Sequence, residues 1–190
     1  IGTLGIKYPN KIVENNLTSP DTITLHKSLE ELKKDNIESV IIEASSHGLD
    51  QGRLDHINFK AAVFTNFSQD HLDYHRTMKA YLNAKLILFT KLLPRNSFII
   101  SDKLNDQFSI LEKISKKKKL KLLNITNIIN KIKNITESLP GHFQKKNLSM
   151  AVLAAQLCGL KRSKIFKTLK KINNIDGRLE LIKKFPNNIN

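Results

Sequence analysis

Short apolar runs and helical patterns alternate along the chain. Ser39-Val-Ile-Ile-Glu43 is brief, β-branched and apolar, which predicts a buried strand ending in a carboxylate. Lys60-Ala-Ala-Val-Phe-Thr65 and Ser97-Phe-Ile-Ile-Ser101 repeat that form. Between the runs, Leu25 to Lys34 places Leu25, Leu29 and Leu32 on one helical face. Thr77 to Leu92 sets Met78, Tyr81, Leu82, Lys85, Leu88 and Phe89 at helical spacing. Asn105 to Lys116, Phe143 to Leu157 and Ser163 to Ile172 read as further helices. Strands alternating with helices of this length predict an α/β fold, a mostly parallel sheet flanked by helices. Ligands of such sheets gather at the carboxyl ends of the strands.

Unusual residues fall at those ends. The first run delivers Glu43-Ala44-Ser45-Ser46-His47-Gly48-Leu49, then Gln51 and Arg53. The second delivers Thr65 to His75, with His71, His75, Asp70 and Asp73 inside six residues. Asp70 or Ser68 could do no more than cap a helix. Both stretches together, at two strand ends of one sheet, favour a metal or phosphate site. A serine hydrolase is disfavoured, because G-x-S-x-G is absent and adjacent Ser and His seldom face each other. Zinc is disfavoured too, since no Cys/His spacing offers three soft ligands. Glu43 with one imidazole and further oxygen donors suits Mg²⁺ better. Lys85 lies on the apolar stripe of its helix and admits two readings. Its stem could be buried while the ammonium reaches water. Alternatively, burial favours the neutral amine, which can take up CO₂ as a carbamate and become an anionic metal ligand.

Composition changes the picture little. The 190 residues are 40% hydrophobic and 26% charged, enough for one globular domain with a real core. No apolar run approaches the ~18 residues of a membrane span. The start, IGTLGIKYPN, lacks the layout of a signal peptide, and the single cysteine, Cys158, cannot form an internal disulfide. A cytoplasmic protein without membrane partners is therefore expected. The formal charge of +15 comes from 27 Lys and only 5 Arg, accompanied by 19 Asn. Nucleic-acid readers lean on Arg for its bidentate fork, whereas a Lys/Asn/Ile excess is also what AT-rich coding produces. Lys116 to Lys119 then reads as a solvated helix end, and no specific nucleic acid is expected.

At this point the sequence resembles the Mur ligases, and most of all the branch that adds the third residue of the peptidoglycan stem peptide. The carrying segments are Leu17-Thr18-Ser19-Pro20-Asp21, Glu43 to Arg53 (EASSHGLDQGR) and Ala62 to Lys85 (AVFTNFSQDHLDYHRTMKAYLNAK). Leu139-Pro140-Gly141 with Asn147, and Asp176 to Glu180, add weaker support. The resemblance implies a central ATPase-type domain over residues 1–180, with 181–190 starting a linker. It places Thr18, Ser19, Ser45, Gln51 and Arg53 on a UDP-MurNAc-L-Ala-D-Glu substrate; Ser19 stands where the family usually has Thr. It gathers Glu43, His71 and a carbamylated Lys85 around Mg²⁺ as the catalytic and metal residues. Asn147 and Arg178 would approach ATP, while Gln144 stands where the family typically has Asn. The implied reaction is phosphorylation of the D-Glu γ-carboxylate by ATP, then attack on the acyl phosphate by meso-diaminopimelate or L-lysine.

The family's Gly-Lys-Thr/Ser phosphate loop has no counterpart here, so the fold is expected to lack the P-loop start of the domain. The family's flanking domains are not represented either. The isolated chain is accordingly expected to be inactive, and an excerpt, a split gene product or a degenerate copy all fit. The competing expectation is a non-catalytic basic module that binds nucleic acid or another anionic polymer with strong salt dependence. Leu120 to Leu139 shows little alternation, so the small antiparallel subsheet usual in the family there is expected to be trimmed or missing.

Overall fold

The structure, a computed structural model, describes residues 1–132, 142–169 and 171–172. The chain divides into two compact units, residues 1–123 and 124–190.

In the first unit β1 (Ile6–Lys7) and β2 (Ile12–Val13) form an antiparallel pair with Ile6 opposite Val13. Helix α1 (Thr22–Lys34) starts where the Asp21 carboxylate accepts from the Thr24 N–H at 3.0 Å, satisfying one orphan donor of the first turn. Its Leu25 and Leu32 are buried, and Lys33 and Lys34 lie in the last turn, where they complement the helix dipole. The short α2 (Ser46–Asp50) precedes β3 (Ala61–Phe64). Then come α3 (Leu72–His75), α4 (Met78–Ile87), β4 (Phe98–Ser101), α5 (Phe108–Lys118) and β5 (Lys121–Asn124). The sheet order is β3-β4-β5, and β3 runs parallel to β4 with Ala61 beside Phe98 and Phe64 beside Ser101. Parallel neighbours need a crossover, and the α3–α4 segment supplies it. The α/β class expected from the alternating pattern is the class observed. Leu25, Leu54, Phe64, Phe89, Ile99 and Leu111 share one core, with the Phe64 and Phe89 rings 5.8 Å apart. Burying each such side chain contributes roughly 1.5–3 kcal/mol.

Two expectations change. Residues 39–43 form no strand of the three-stranded sheet. The Ile1 amino group donates to Ile41 O and the Glu43 N–H donates to Ile1 O, both at 2.9 Å, which is the parallel pattern around Ile42. The pairing is that short, and Ile41 stays 75% exposed. The β-branched run thus did not fix the burial. Second, the expected helix from Thr77 to Leu92 changes pitch after Ile87. Leu88–Leu92 is a π-helical turn in which the Leu93 N–H reaches Leu88 O. Leu88 and Phe89 are consecutive yet both buried there. The described part of Leu120 to Leu139 contains β5, which joins the main sheet, and a helix, α6 (Thr126–Ile132).

The second unit contains α6, α7 (His142–Leu157) and α8 (Arg162–Leu169). Ile128, Ile132, Leu148, Val152, Ile165 and Leu169 form its own core. No helix among the described residues is long and apolar enough to cross a membrane. The expected linker at 181–190 lies outside the described residues.

Candidate functional site

One half of the site is a hydrogen-bonded knot built on Ser19. Its side chain is fully buried, a position a hydroxyl tolerates only when its bonds are satisfied. Ser19 Oγ donates to Glu43 O at 2.8 Å and accepts from the Ser45 N–H at 2.9 Å. Ser45 in turn caps α2, its Oγ accepting from the Gly48 N–H at 3.0 Å. Gly48 permits this close approach, because a Cβ there would lie 2.6 Å from Ser19 Cβ. The Arg53 guanidinium donates to Ser19 O at 2.9 Å through Nη1 and to Gln51 Oε1 through Nη2. Gln51 Nε2 donates to Tyr74 Oη, and the Tyr74 hydroxyl donates to Asp50 at 3.0 Å. Ser19, Ser45, Gln51 and Arg53, picked from two separate sequence segments, are therefore in one network. Thr18 lies beside it, its hydroxyl 3.2 Å from that of Thr3.

Glu43 borders the knot. Its Oε2 accepts from both the N–H and the hydroxyl of Thr3, each at 2.9 Å, while Oε1 makes no hydrogen bond among the described residues.

The other half is an aromatic and imidazole wall. The His47 ring lies 5.0 Å from His71, 4.1 Å from Tyr74 and 5.4 Å from His75. Tyr81 stacks on His75 at 5.3 Å and meets the edge of His71 at 5.7 Å. His71 has a left-handed backbone, φ 54°, stabilised where its N–H donates to Asp70 Oδ1 at 2.8 Å. Lys85 Nζ lies 5.1 Å over the centroid of the Tyr81 ring, and no carboxylate among the described residues forms an ion pair with it. Burial lowers the Lys85 pKa, only partly opposed by the Asp70 charge. Burial also lowers that of His75, reinforced by His47, and raises that of the Tyr81 hydroxyl. His75 Nε2 is buried without a hydrogen-bond partner among the described residues.

Of the residues expected around Mg²⁺, His71 and Lys85 flank one ring, whereas Glu43 is tied to Thr3. Among the described residues no three His, Cys, Asp or Glu side chains form a ready-made metal cluster. The donor chemistry nevertheless suits a hard cation that keeps several waters: a free carboxylate oxygen, an imidazole and a dehydrated amine able to become an anion. Asn147 is exposed on α7 in the second unit, and Arg178 lies outside the described residues. Sequence reasoning gave no role to Thr3, His47, Tyr74 or His75. The signal for His47, Tyr74 and His75 was their place inside the two carrying strings, and for Thr3 its place in the opening IGTLG, which by itself assigned it no partner. Two shallow clefts, of about 330 and 290 Å³, lie instead near residues 55–60 and 91–98 and contain none of the expected site residues.

Residues 1–155 match the Mur ligase middle domain. The chain is 35% identical to the UDP-N-acetylmuramoyl-L-alanyl-D-glutamate--2,6-diaminopimelate ligase of Rhizobium meliloti, over 96% of this chain and 42% of that protein. It is 37% identical to the enzyme of the same name from Rickettsia prowazekii, over 96% and 43%. To that of Bradyrhizobium diazoefficiens it is 49% identical over 94 residues, half of this chain and 19% of the relative. The chain thus spans about two-fifths of the length of the first two relatives. The buried serine knot and the histidine–tyrosine wall are built from the strings that resembled one family, and the match over residues 1–155 shows that the chain belongs to the Mur ligases.

Proposed function

We propose that this chain supplies the middle domain of an ATP-dependent carboxylate–amine ligase of peptidoglycan precursor synthesis. The enzyme would join meso-diaminopimelate to the D-Glu γ-carboxylate of UDP-MurNAc-L-Ala-D-Glu, the activity in the names of the relatives. L-lysine is the competing amine. The observation that carries the reading is Lys85: a dehydrated amine with no carboxylate in ion-pair contact among the described residues, over a tyrosine that also contacts His71.

Arg53 and the neighbouring hydroxyls of Thr18, Ser19 and Ser45 would hold the anionic nucleotide-peptide, the guanidinium serving carboxylate or phosphate oxygens. Ser19 and Ser45 act chiefly by keeping Arg53 and α2 in place, since their own hydroxyls already bond the backbone. The neutral Lys85 amine would attack CO₂, form a C–N bond and release a proton to water, leaving a carbamate anion. Glu43, His71 and that carbamate would hold Mg²⁺, and Asn147 and Arg178 would contact ATP. Bound Mg²⁺ supplies charge neutralisation to phosphoryl transfer. The γ-carboxylate takes the phosphoryl group, ADP leaves, and the incoming amine displaces phosphate from the acyl phosphate. The test is product formation by the protein that carries these 190 residues, given ATP, Mg²⁺, the UDP-muramoyl dipeptide and diaminopimelate. ADP release that depends on both the dipeptide and the amine is expected. ATP hydrolysis indifferent to both would overturn the proposal.

A further inference from the structure

The approach of Ile1 to Glu43 to the site leaves an arrangement that the ligase reading does not use. Glu43 Oε2 takes two hydrogen bonds from one residue, the N–H and the hydroxyl of Thr3. Two donors on one oxygen restrict the rotation of the carboxylate and leave Oε1 without a hydrogen-bond partner among the described residues. The neighbouring backbone is fitted to the same side chain. A Cβ on Gly2 would lie 2.7 Å from Glu43 Oε2 and 3.0 Å from Glu43 Cβ, so the carboxylate would have to shift to admit it. The Thr3 hydroxyl has one hydrogen, and it is committed to the carboxylate. Its 3.2 Å contact with the Thr18 hydroxyl must then use the hydrogen of Thr18. Thr18 is left with lone pairs only.

We propose that Gly2 and Thr3 are positioning residues: they orient Glu43 so that Oε1 faces the cation, and they make Thr18 a pure acceptor. This rests on the ligase reading for the identity of the cation and substrate. It adds that Thr18 recognises an N–H or O–H donor of the nucleotide-peptide, and that its anionic oxygens go to Arg53. It also couples the cation-facing carboxylate to the substrate-facing hydroxyl, because one hydroxyl serves both Glu43 and Thr18.

The test uses Thr3→Val, Thr3→Ser and Gly2→Ala in the protein that carries this chain. The orientation is read by NMR: Glu43→Gln should move the Thr3 amide proton upfield as a charge-assisted bond becomes a neutral one. The consequence is read by Mn²⁺ binding followed by electron paramagnetic resonance, without turnover. Thr3→Val should weaken binding roughly tenfold, the ordinary loss when a residue orienting a metal ligand is removed, and Thr3→Ser should restore it. Gly2→Ala should weaken it similarly, by displacing the carboxylate. The KM for the UDP-muramoyl dipeptide should rise in Thr3→Val and recover in Thr3→Ser, which a loss of general stability would not produce in the folded protein. An unmoved Thr3 amide in Glu43→Gln, or wild-type Mn²⁺ binding by Thr3→Val, overturns the positioning role. A moved amide in a protein that binds no Mn²⁺ supports the clamp and places the failure in the cation assigned to Glu43.

Discussion

The two halves of the site are built on opposite terms. Around Ser19 the polar groups of the knot are satisfied, the buried Ser46 hydroxyl of the adjoining α2 excepted: hydroxyl, carbonyl and guanidinium each have a partner at ordinary hydrogen-bond distance. Around Tyr81 they are not: His75 Nε2 has no partner among the described residues, and the Lys85 amine lies over a ring. A satisfied network holds a shape, because each missing member would leave another group buried and unpaired. An unsatisfied one leaves groups dehydrated and shifts them toward their neutral forms, which suits chemistry and is costly to stability. On the proposed function, the contrast would separate the residues that place the substrate from those that meet the reacting groups.

The largest effect on folding should come from the satisfied half. Ser19→Ala strands the Ser45 N–H, and we expect a loss of about 1–3 kcal/mol, measured by urea denaturation. An unchanged unfolding midpoint would remove the contrast, since Ser19 would then support nothing. The next effect belongs to His75. Its folded pKa is lowered below the usual 6.5, so between the two values the unfolded chain binds more protons than the folded one. Stability should therefore be full above pH 6.5 and fall as the pH is lowered through that window. His75→Phe, which keeps a ring against Tyr81, should flatten the slope; an unaltered slope would show that other groups set it. The smallest effect is expected for Tyr74→Phe at the seam between the halves. Tyr74 is exposed, so losing its bonds to Asp50 and Gln51 should cost less than about 1 kcal/mol. The KM for the nucleotide-peptide should rise severalfold as Gln51 and Arg53 loosen. A kcat loss with constant KM would instead move Tyr74 into the reacting half.

The elements legible in the sequence are those whose pattern and packing agree. Leu25 and Leu32 marked α1 and are buried, and the apolar runs at Ala61 and Phe98 are β3 and β4. The run at Ser39 to Glu43 misled as to burial, because β-branching favours an extended backbone while pairing depends on a neighbour elsewhere. β1, β2, α2 and α3 are two to five residues long, too short for any periodicity to register. For the site, the two strings after the strands pointed to the residues but not to their division of labour. That Ser19 is an internal bracket, and that Tyr81 is the surface beneath Lys85, depends on contacts between segments far apart in the chain. The role of Thr3 was illegible for the same reason, Thr3 being 40 residues from the carboxylate it grips.

Lys85 is where the contrast is sharpest, and Lys85→Ala in the protein that carries this chain is the measurement to make. Removing a dehydrated, unpaired amine should leave the unfolding midpoint unchanged or raise it, while ligation falls by on the order of a hundredfold or more. A small added carboxylate, standing in for the carbamate, should restore part of the activity. Ligation at the wild-type rate in Lys85→Ala would contradict the assignment outright.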